Sequence, residues 1–491
     1  MGKLASQSIQ TTIFSYLGVV IGYFNVLWLY PYALETSELG AFRTIQDMAL
    51  LFVPFAQLGL GHGITRFFPK LESNQSAFLS YSLILAMVGF TLVSLIFLGF
   101  KNEIVNLFAV NSPEVIEFFG VVLLITLFAL LNSILDAYSR SYLKVAIPTF
   151  FREVLLRLLT GVLVGIYLLG WIDFSQVMKG LVLVYGLAMA GMLAYLLWLG
   201  VLKLNFRWNQ FPKGFRTSFI QFSLVTFLAT AASTLIMKID SIMVSSMVSL
   251  EANAIYAIAF SMALVIEMPR RAISQVVMPV IADHFANGNY PEIDKIYKQV
   301  SNRQLYICLL LFAGIWSNID VLYHFIPNGE IYRAGKLVVL LIGIGKLMDV
   351  AFSVNSEILV FSKYYRFNLF ATIGMSILIV LLNYWLIPIY GIEGAAMASA
   401  LVMLLYNLTK YIFLKIRLGF NPFSTETIKI MLVGFFSIFV GNFKIFELEP
   451  IPQLILTSVS VTFAFILFSV LLNVGQEEWN WIKEKIKKSG S

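Results

Sequence analysis

The chain of 491 residues is 59% hydrophobic and only 12% charged, with a formal net charge of +7. Soluble chains carry about a quarter charged residues, so this composition excludes a water-soluble globular fold and makes lipid part of the solvent. The basic surplus is no argument for nucleic acid, because in a membrane protein Lys and Arg chiefly report topology.

A helix crosses the hydrocarbon core with about 20 predominantly apolar residues. In chain order, about fourteen segments meet that requirement: 9–33, 41–64, 77–99, 115–138, 148–170, 176–202, 217–248, 252–283, 303–326, 334–361, 366–389, 392–415, 427–446 and 450–474. The expected fold is therefore an all-α polytopic membrane protein with about 14 transmembrane helices. The first segment follows "MGKLASQSIQ" without a small-residue cleavage site, so it reads as an uncleaved helix.

Connection charges orient these segments. Alternate connections carry Lys70, then Arg140 and Lys144, then Lys203, Arg207, Lys213 and Arg216, then Lys295, Lys298 and Arg303, then Lys363 and Arg366, then Lys415 and Arg417. The intervening ones hold mainly Glu35 and Glu38, Lys101 and Glu103, Asp173, Glu251, Asp320 and Glu330, Glu393, Glu447 and Glu449. The positive-inside rule then places both termini in the cytoplasm, and an even count of spans satisfies it. The tail segment 477–488, "EEWNWIKEKIKK", reads as a basic, tryptophan-bearing interfacial helix.

An internal repeat organises the chain. "NSILDAYSRSYLK" at 132–144 matches "NSEILVFSKYYRF" at 355–367, and "FRTIQDMAL" at 42–50 matches "YAIAFSMAL" at 256–264. Both displacements are about 220 residues, or six helices. An even shift preserves orientation, which points to two parallel-repeat six-helix lobes, a recognised transporter design. The expected organisation is residues 1–210 and 211–420 for the lobes, 421–475 for an appended helix pair and 476–491 for a basic tail.

Soluble-type catalytic motifs are missing: there is no P-loop, GxSxG or HExxH, and His62, His284 and His324 have no ligand spacing. Cys308 stands alone, so no disulfide or thiol metal site arises. The expected protein is not an enzyme, holds no metal, and has no cofactor beyond a possible coupling ion.

Residues 24–71 carry Pro31, Leu39-Gly40-Ala41-Phe42, Gly59-Leu60 and Arg66-Phe67-Phe68-Pro69. These resemble the opening of bacterial polysaccharide flippases of the multidrug/oligosaccharidyl-lipid/polysaccharide exporter superfamily. "KIDSIMVSSMVSLEANAIYAIAF" at 238–260 and "YGIEGAAMASALVMLLYNL" at 390–408 resemble later passages of the same family. The resemblance implies a MATE-like, V-shaped pair of lobes working by alternating access in the bacterial inner membrane. It implies as cargo an isoprenoid-pyrophosphate-linked oligosaccharide, such as an O-antigen repeat unit, with membrane lipid, glycosyltransferases and a polysaccharide polymerase as partners. A cation-coupled multidrug exporter and a lipid II flippase are the alternatives. The arginine-aspartate motif of lipid II flippases has no clear match, and the first segment offers Asn25 but no carboxylate.

Charges inside the spans mark the candidate site. Glu267, Arg270, Arg271 and Gln275 share one broad helical face, and Pro269 should kink that helix. Either this face lines a wet cavity, with forked arginine donors for a pyrophosphate, or Glu267 staples the helix through an ion pair. One carboxylate cannot neutralise two arginines, so one cation needs a further partner. Lys346, Asp349, Ser353 and Glu357 form a second stripe, either a polar wall or an internal Lys346–Asp349 pair. Arg43 with Asp47 and Glu153 with Arg157 read as structural i,i+4 pairs. The resemblance makes Arg66 a residue that meets the entering head group and Asp240 a candidate for H+ or Na+ coupling, with Glu267 and Asp349 as further coupling candidates. Snorkelling of Arg66 and a bland contact for Asp240 stay open.

Overall fold

A computed structural model describes residues 2–71, 74–443 and 448–474. The tail expected as an interfacial helix, 477–488 within 476–491, lies outside the described residues. Every described regular element is helical. Among the described residues nine helices are long and apolar enough to cross a membrane, or up to eleven when two bent pairs each count as one span, so the expected count of fourteen is not confirmed. The chain is thus a multi-pass membrane protein.

The helices stand where the apolar segments predicted them, but several are broken. Tyr290–Ser317 and Ile319–Phe325 meet at 69°, and Gly329–Phe352 and Asn355–Phe361 at 45°. Two expected segments run together as Tyr365–Leu418, divided at Gly391, whose φ of 58° only glycine takes without cost. Helix Thr425–Gly441 has 17 residues. Residues 146–168 are helical throughout but carry Arg152, Glu153 and Arg157.

Local chemistry explains the starts and stops. Glu35 and Glu38 form a capping box at the head of Thr36–Gln57, and Asp173 with Gln176 does the same for Phe174–Trp198. Thr36–Gln57 ends where Leu58 and Gly59 turn left-handed. Pro269 does not kink a continuous helix. A 3-10 turn, Val265–Glu267, interrupts it first, and Pro269 then sits in the opening turn of Met268–Ala286, where its missing N–H costs nothing.

Lipid contact is visible in side-chain exposure. On Gln75–Gly99, Leu92, Leu95 and Ile96 all point outward although the helix is apolar all round. Such faces are stable only against hydrocarbon.

Two compact units make up the chain: Met1–Ile258 with Ile379–Ala395, and Ala259–Leu378 with Ala396–Ser491. The first has an aromatic core in which Phe67, Phe78, Phe215 and Phe219 meet edge to face. Gly40 lies against the backbone of Leu250, an approach that leaves no room for a Cβ. Beside it Thr44 shares a hydrogen bond with Ser245 at 2.5 Å and accepts one from Asn253 Nδ2 at 3.0 Å. The second unit has two cores, one around Leu305, Cys308, Val350 and Phe465, the other around Ile281, Tyr297 and Ile358.

Candidate functional site

In the first unit two π-helical segments, Asn25–Leu29 and Phe150–Leu155, widen their helices. Such bulges re-aim side chains and recur at functional sites. Gly18 and Gly22 let the Gly2–Phe24 helix settle directly on Glu153 and Arg157. Asn25 then donates Nδ2–H to the Arg157 carbonyl at 2.7 Å.

This arrangement borders a cavity of about 610 Å³, lined by Arg43, Arg140, Arg152 and Arg157 but only two carboxylates, Asp136 and Glu153. Arg152 bridges both acids, Nη1 to Asp136 and Nε to Glu153, each at 3.0 Å. Arg140 reaches Asp136 at 3.3 Å and Arg157 reaches Glu153 at 3.0 Å. Nη1 of Arg157 is buried without a hydrogen-bond partner among the described residues. The Glu153–Arg157 pair is present as expected, but it belongs to a larger network.

Arg43 and Asp47 do not pair. Lys238 takes Asp47 instead, at 2.5 Å, leaving Arg43 on the cavity wall with no ion-pair or hydrogen-bond partner among the described residues. Cations therefore outnumber acids by four to two around one polar space. Three of these arginines keep 36–48% of their side-chain surface exposed, so they are open to an incoming anion.

The second unit gathers Glu267, Arg270, Arg271, Lys346 and Asp349, all singled out in the sequence. Lys346 Nζ stands 2.6 Å from Glu267 Oε2, and Arg271 Nε donates to Glu267 Oε1 at 3.2 Å. Arg270 finds the further partner that charge balance required: Asp349, at 2.9 Å. The expected Lys346–Asp349 pair is replaced by these crossed ones.

Arg270 also donates to the carbonyl of Ser353 at 3.1 Å. That carbonyl is accessible because Ser353, at the break before Asn355–Phe361, has a φ of 54°. An L-residue takes this conformation only when its surroundings hold it. Ser353 Oγ donates to Gln304 Oε1 at 3.0 Å, which supplies a second hold.

Two residues that sequence reasoning passed over, Asn407 and Lys410, join this cluster, together with Glu357 of the predicted stripe. Asn407 donates to Asp349 at 2.8 Å. Lys410, only 1% exposed, donates to Ser356 at 2.7 Å and lies 3.5 Å from the ring centre of Tyr406. Glu357 keeps a buried oxygen without a hydrogen-bond partner among the described residues.

Other predicted residues lie elsewhere. Gln275 is exposed. The guanidinium of Arg66 stacks over the Phe222 ring at 4.2 Å. Asp240 is buried in the first unit and accepts from Asn383 at 2.7 Å and from Tyr256 at 2.8 Å. Among the described residues no group of three or more His, Cys, Asp or Glu could hold a metal ion.

The missed arginines had a signal. "FFREVLLRLL" places Arg152, Glu153 and Arg157 in an apolar run, the same excess of cations over acids that singled out Glu267, Arg270 and Arg271.

Comparison with known proteins agrees with this architecture. Residues 6–285 match the family model described as polysaccharide biosynthesis protein. No curated protein matches the sequence. The lipid II flippase MurJ, in an inward closed conformation, superposes with a TM-score of 0.74 at 15% identity, over 94% of this chain and 98% of that one. An inward-facing multidrug resistance MATE family transporter of the MOP superfamily gives 0.64 at 13%, over 82% and 94%. A MOP superfamily transporter from Pyrococcus furiosus gives 0.58 at 12%, over 85% and 95%. The fold is of the MurJ and MATE type.

Proposed function

The chain belongs to the polysaccharide biosynthesis protein family, and on that premise we propose that it is a flippase for an isoprenoid-pyrophosphate-linked oligosaccharide. It moves the cargo from the cytoplasmic to the outer leaflet by alternating access. The observation that carries this reading is the cation surplus in the cavity of the first unit, with Arg43 unpaired among the described residues. A pyrophosphate supplies the missing anion, and arginine presents the planar forked donors that bind it best. Asn25 holds the widened helix against Arg157.

In the second unit Arg271 is the residue left for the head group, since its side chain is 55% exposed while Arg270 and Lys346 are enclosed by Glu267 and Asp349. Arg270 and Lys346 hold those carboxylates in place. Asp240, held by Asn383 and Tyr256, is the coupling residue for H+ or Na+. Translocation breaks no covalent bond, so no nucleophile is required and the protein is not an enzyme. The cargo is an O-antigen or similar repeat unit, built by glycosyltransferases and received by a polymerase. The protein works in the bacterial inner membrane with both termini cytoplasmic.

The test is flipping of a fluorescent isoprenoid-pyrophosphate oligosaccharide in proteoliposomes, with wild type beside Arg43→Ala and Arg271→Ala. Wild-type flipping that collapses in Arg43→Ala at equal folded protein supports the reading. Flipping of lipid II alone would replace the cargo. Extrusion of cationic dyes without any lipid flipping would overturn the proposal, because surplus arginines repel such compounds.

A further inference from the structure

A second cavity of about 610 Å³ lies within the second unit, away from the Glu267–Arg270 cluster in sequence and in its lining. It is bordered by the first turns of Tyr290–Ser317, the head of Thr425–Gly441, and Asn473 and Val474, just past Pro450–Leu471. Four cations line it, Lys295, Lys298, Arg303 and Lys429, with two acids, Asp294 and Glu426, and Lys295 is held by Glu292 at 3.0 Å just outside the lining.

Both acids are already engaged. Asp294 holds Lys298 at 2.6 Å and accepts from the Asn421 backbone N–H at 2.8 Å. Glu426 accepts from Asn302 at 3.1 Å. Lys429 has no ion-pair or hydrogen-bond partner among the described residues. Basic pockets between membrane helices are suited to phosphate head groups.

The outer face of Thr425–Gly441 says what the phosphate would be attached to. Ile428, Met431, Leu432, Phe435 and Phe439 are all exposed and follow one another at helical spacing away from the pocket. An apolar strip leading from a cationic cavity matches an acyl chain leading from a head group.

We propose that this cavity binds the phosphodiester head group of an anionic phospholipid, with its acyl chains along the Thr425–Gly441 face. The bound lipid ties the last two described helices to Tyr290–Ser317. This site is independent of the cargo reading, since it shares no lining residue with the arginine cavity of the first unit.

The test uses the full chain in neutral detergent with a fluorescent short-chain phosphatidylglycerol as probe, read by anisotropy. Unlabelled phosphatidylglycerol displaces the probe, whereas phosphatidylcholine and inorganic phosphate at the same concentration do not. Lys429→Glu weakens binding by about tenfold or more, and Lys429→Arg restores it. Lys363→Glu, which reverses a cation outside the cavity, leaves binding unchanged. Rising salt weakens binding. Matched size-exclusion profiles and lipid-free melting temperatures check the fold of each variant. Equal binding by Lys429→Glu overturns the proposal, as does displacement by phosphatidylcholine, which would mean unspecific annular lipid. Equal displacement by inorganic phosphate overturns it in favour of a soluble anion.

Discussion

Lys238 Nζ lies 2.5 Å from Asp47 Oδ1, and it claims the carboxylate that stands one helical turn from Arg43. A single long-range pair thereby decides the charge state of the cavity in the first unit. Arg43→Ala is expected to lower cargo flipping by about tenfold or more with little change in melting temperature, because the residue has no ion-pair or hydrogen-bond partner among the described residues. Arg43→Lys should restore only part of the rate, since an ammonium lacks the forked donors. A full loss of stability in Arg43→Ala would show a structural role instead.

Breaking the Lys238–Asp47 pair has the opposite profile. Asp47→Asn leaves Lys238 half-buried and uncompensated, at an expected cost of about 1–3 kcal/mol. Thermal unfolding in detergent measures it, and the double variant Asp47→Leu with Lys238→Met should be milder than either single change.

The cluster in the second unit obeys the same logic at deeper burial. Glu267 serves Arg270, Arg271 and Lys346 together. Glu267→Gln leaves those cations with Asp349 as their remaining ion-pair partner among the described residues, and destabilisation of about 3–5 kcal/mol is expected. A melting temperature equal to that of wild type would mean that water already neutralises the cluster.

Gly40 meets the Leu250 backbone with no space for a Cβ. Gly40→Ala should therefore push Leu250–Leu264 away and disturb the Thr44, Ser245 and Asn253 hydrogen bonds. The expected cost is about 1–3 kcal/mol, read from unfolding curves. Gly99, where an added Cβ would meet nothing within 4 Å, is the control and should tolerate alanine.

If Asp240 couples transport to an ion, Asp240→Asn should leave downhill flipping intact and abolish its response to an imposed H+ or Na+ gradient. A gradient response that survives the change assigns coupling elsewhere.

Membrane character, the positions of the helices and the family resemblance were all readable from the residues in order. Lipid exposure imposes long apolar runs, and a run of hydrocarbon-facing residues can be counted without knowing its neighbours. The crowding of charge around 267–271 and 346–357 was readable for the same reason, since each ionisable residue stands out against an apolar background.

Which charges pair was readable only in part: Glu153 with Arg157 and Glu267 with Arg271 follow helical spacing, but other pairs do not. Helical spacing proposed Arg43 with Asp47 and Lys346 with Asp349, whereas the folded chain joins Lys238 to Asp47, Lys346 to Glu267 and Arg270 to Asp349. A local i,i+4 pair gains only a few tenths of a kcal/mol, so a cation brought by another helix into a drier place displaces it. Sequence order thus determined where the charges are and how the chain meets lipid. Only tertiary packing, through partners 191, 79 and 79 residues apart, decided which carboxylate each of these cations meets, and so left Arg43 without the Asp47 partner that its helical spacing offers.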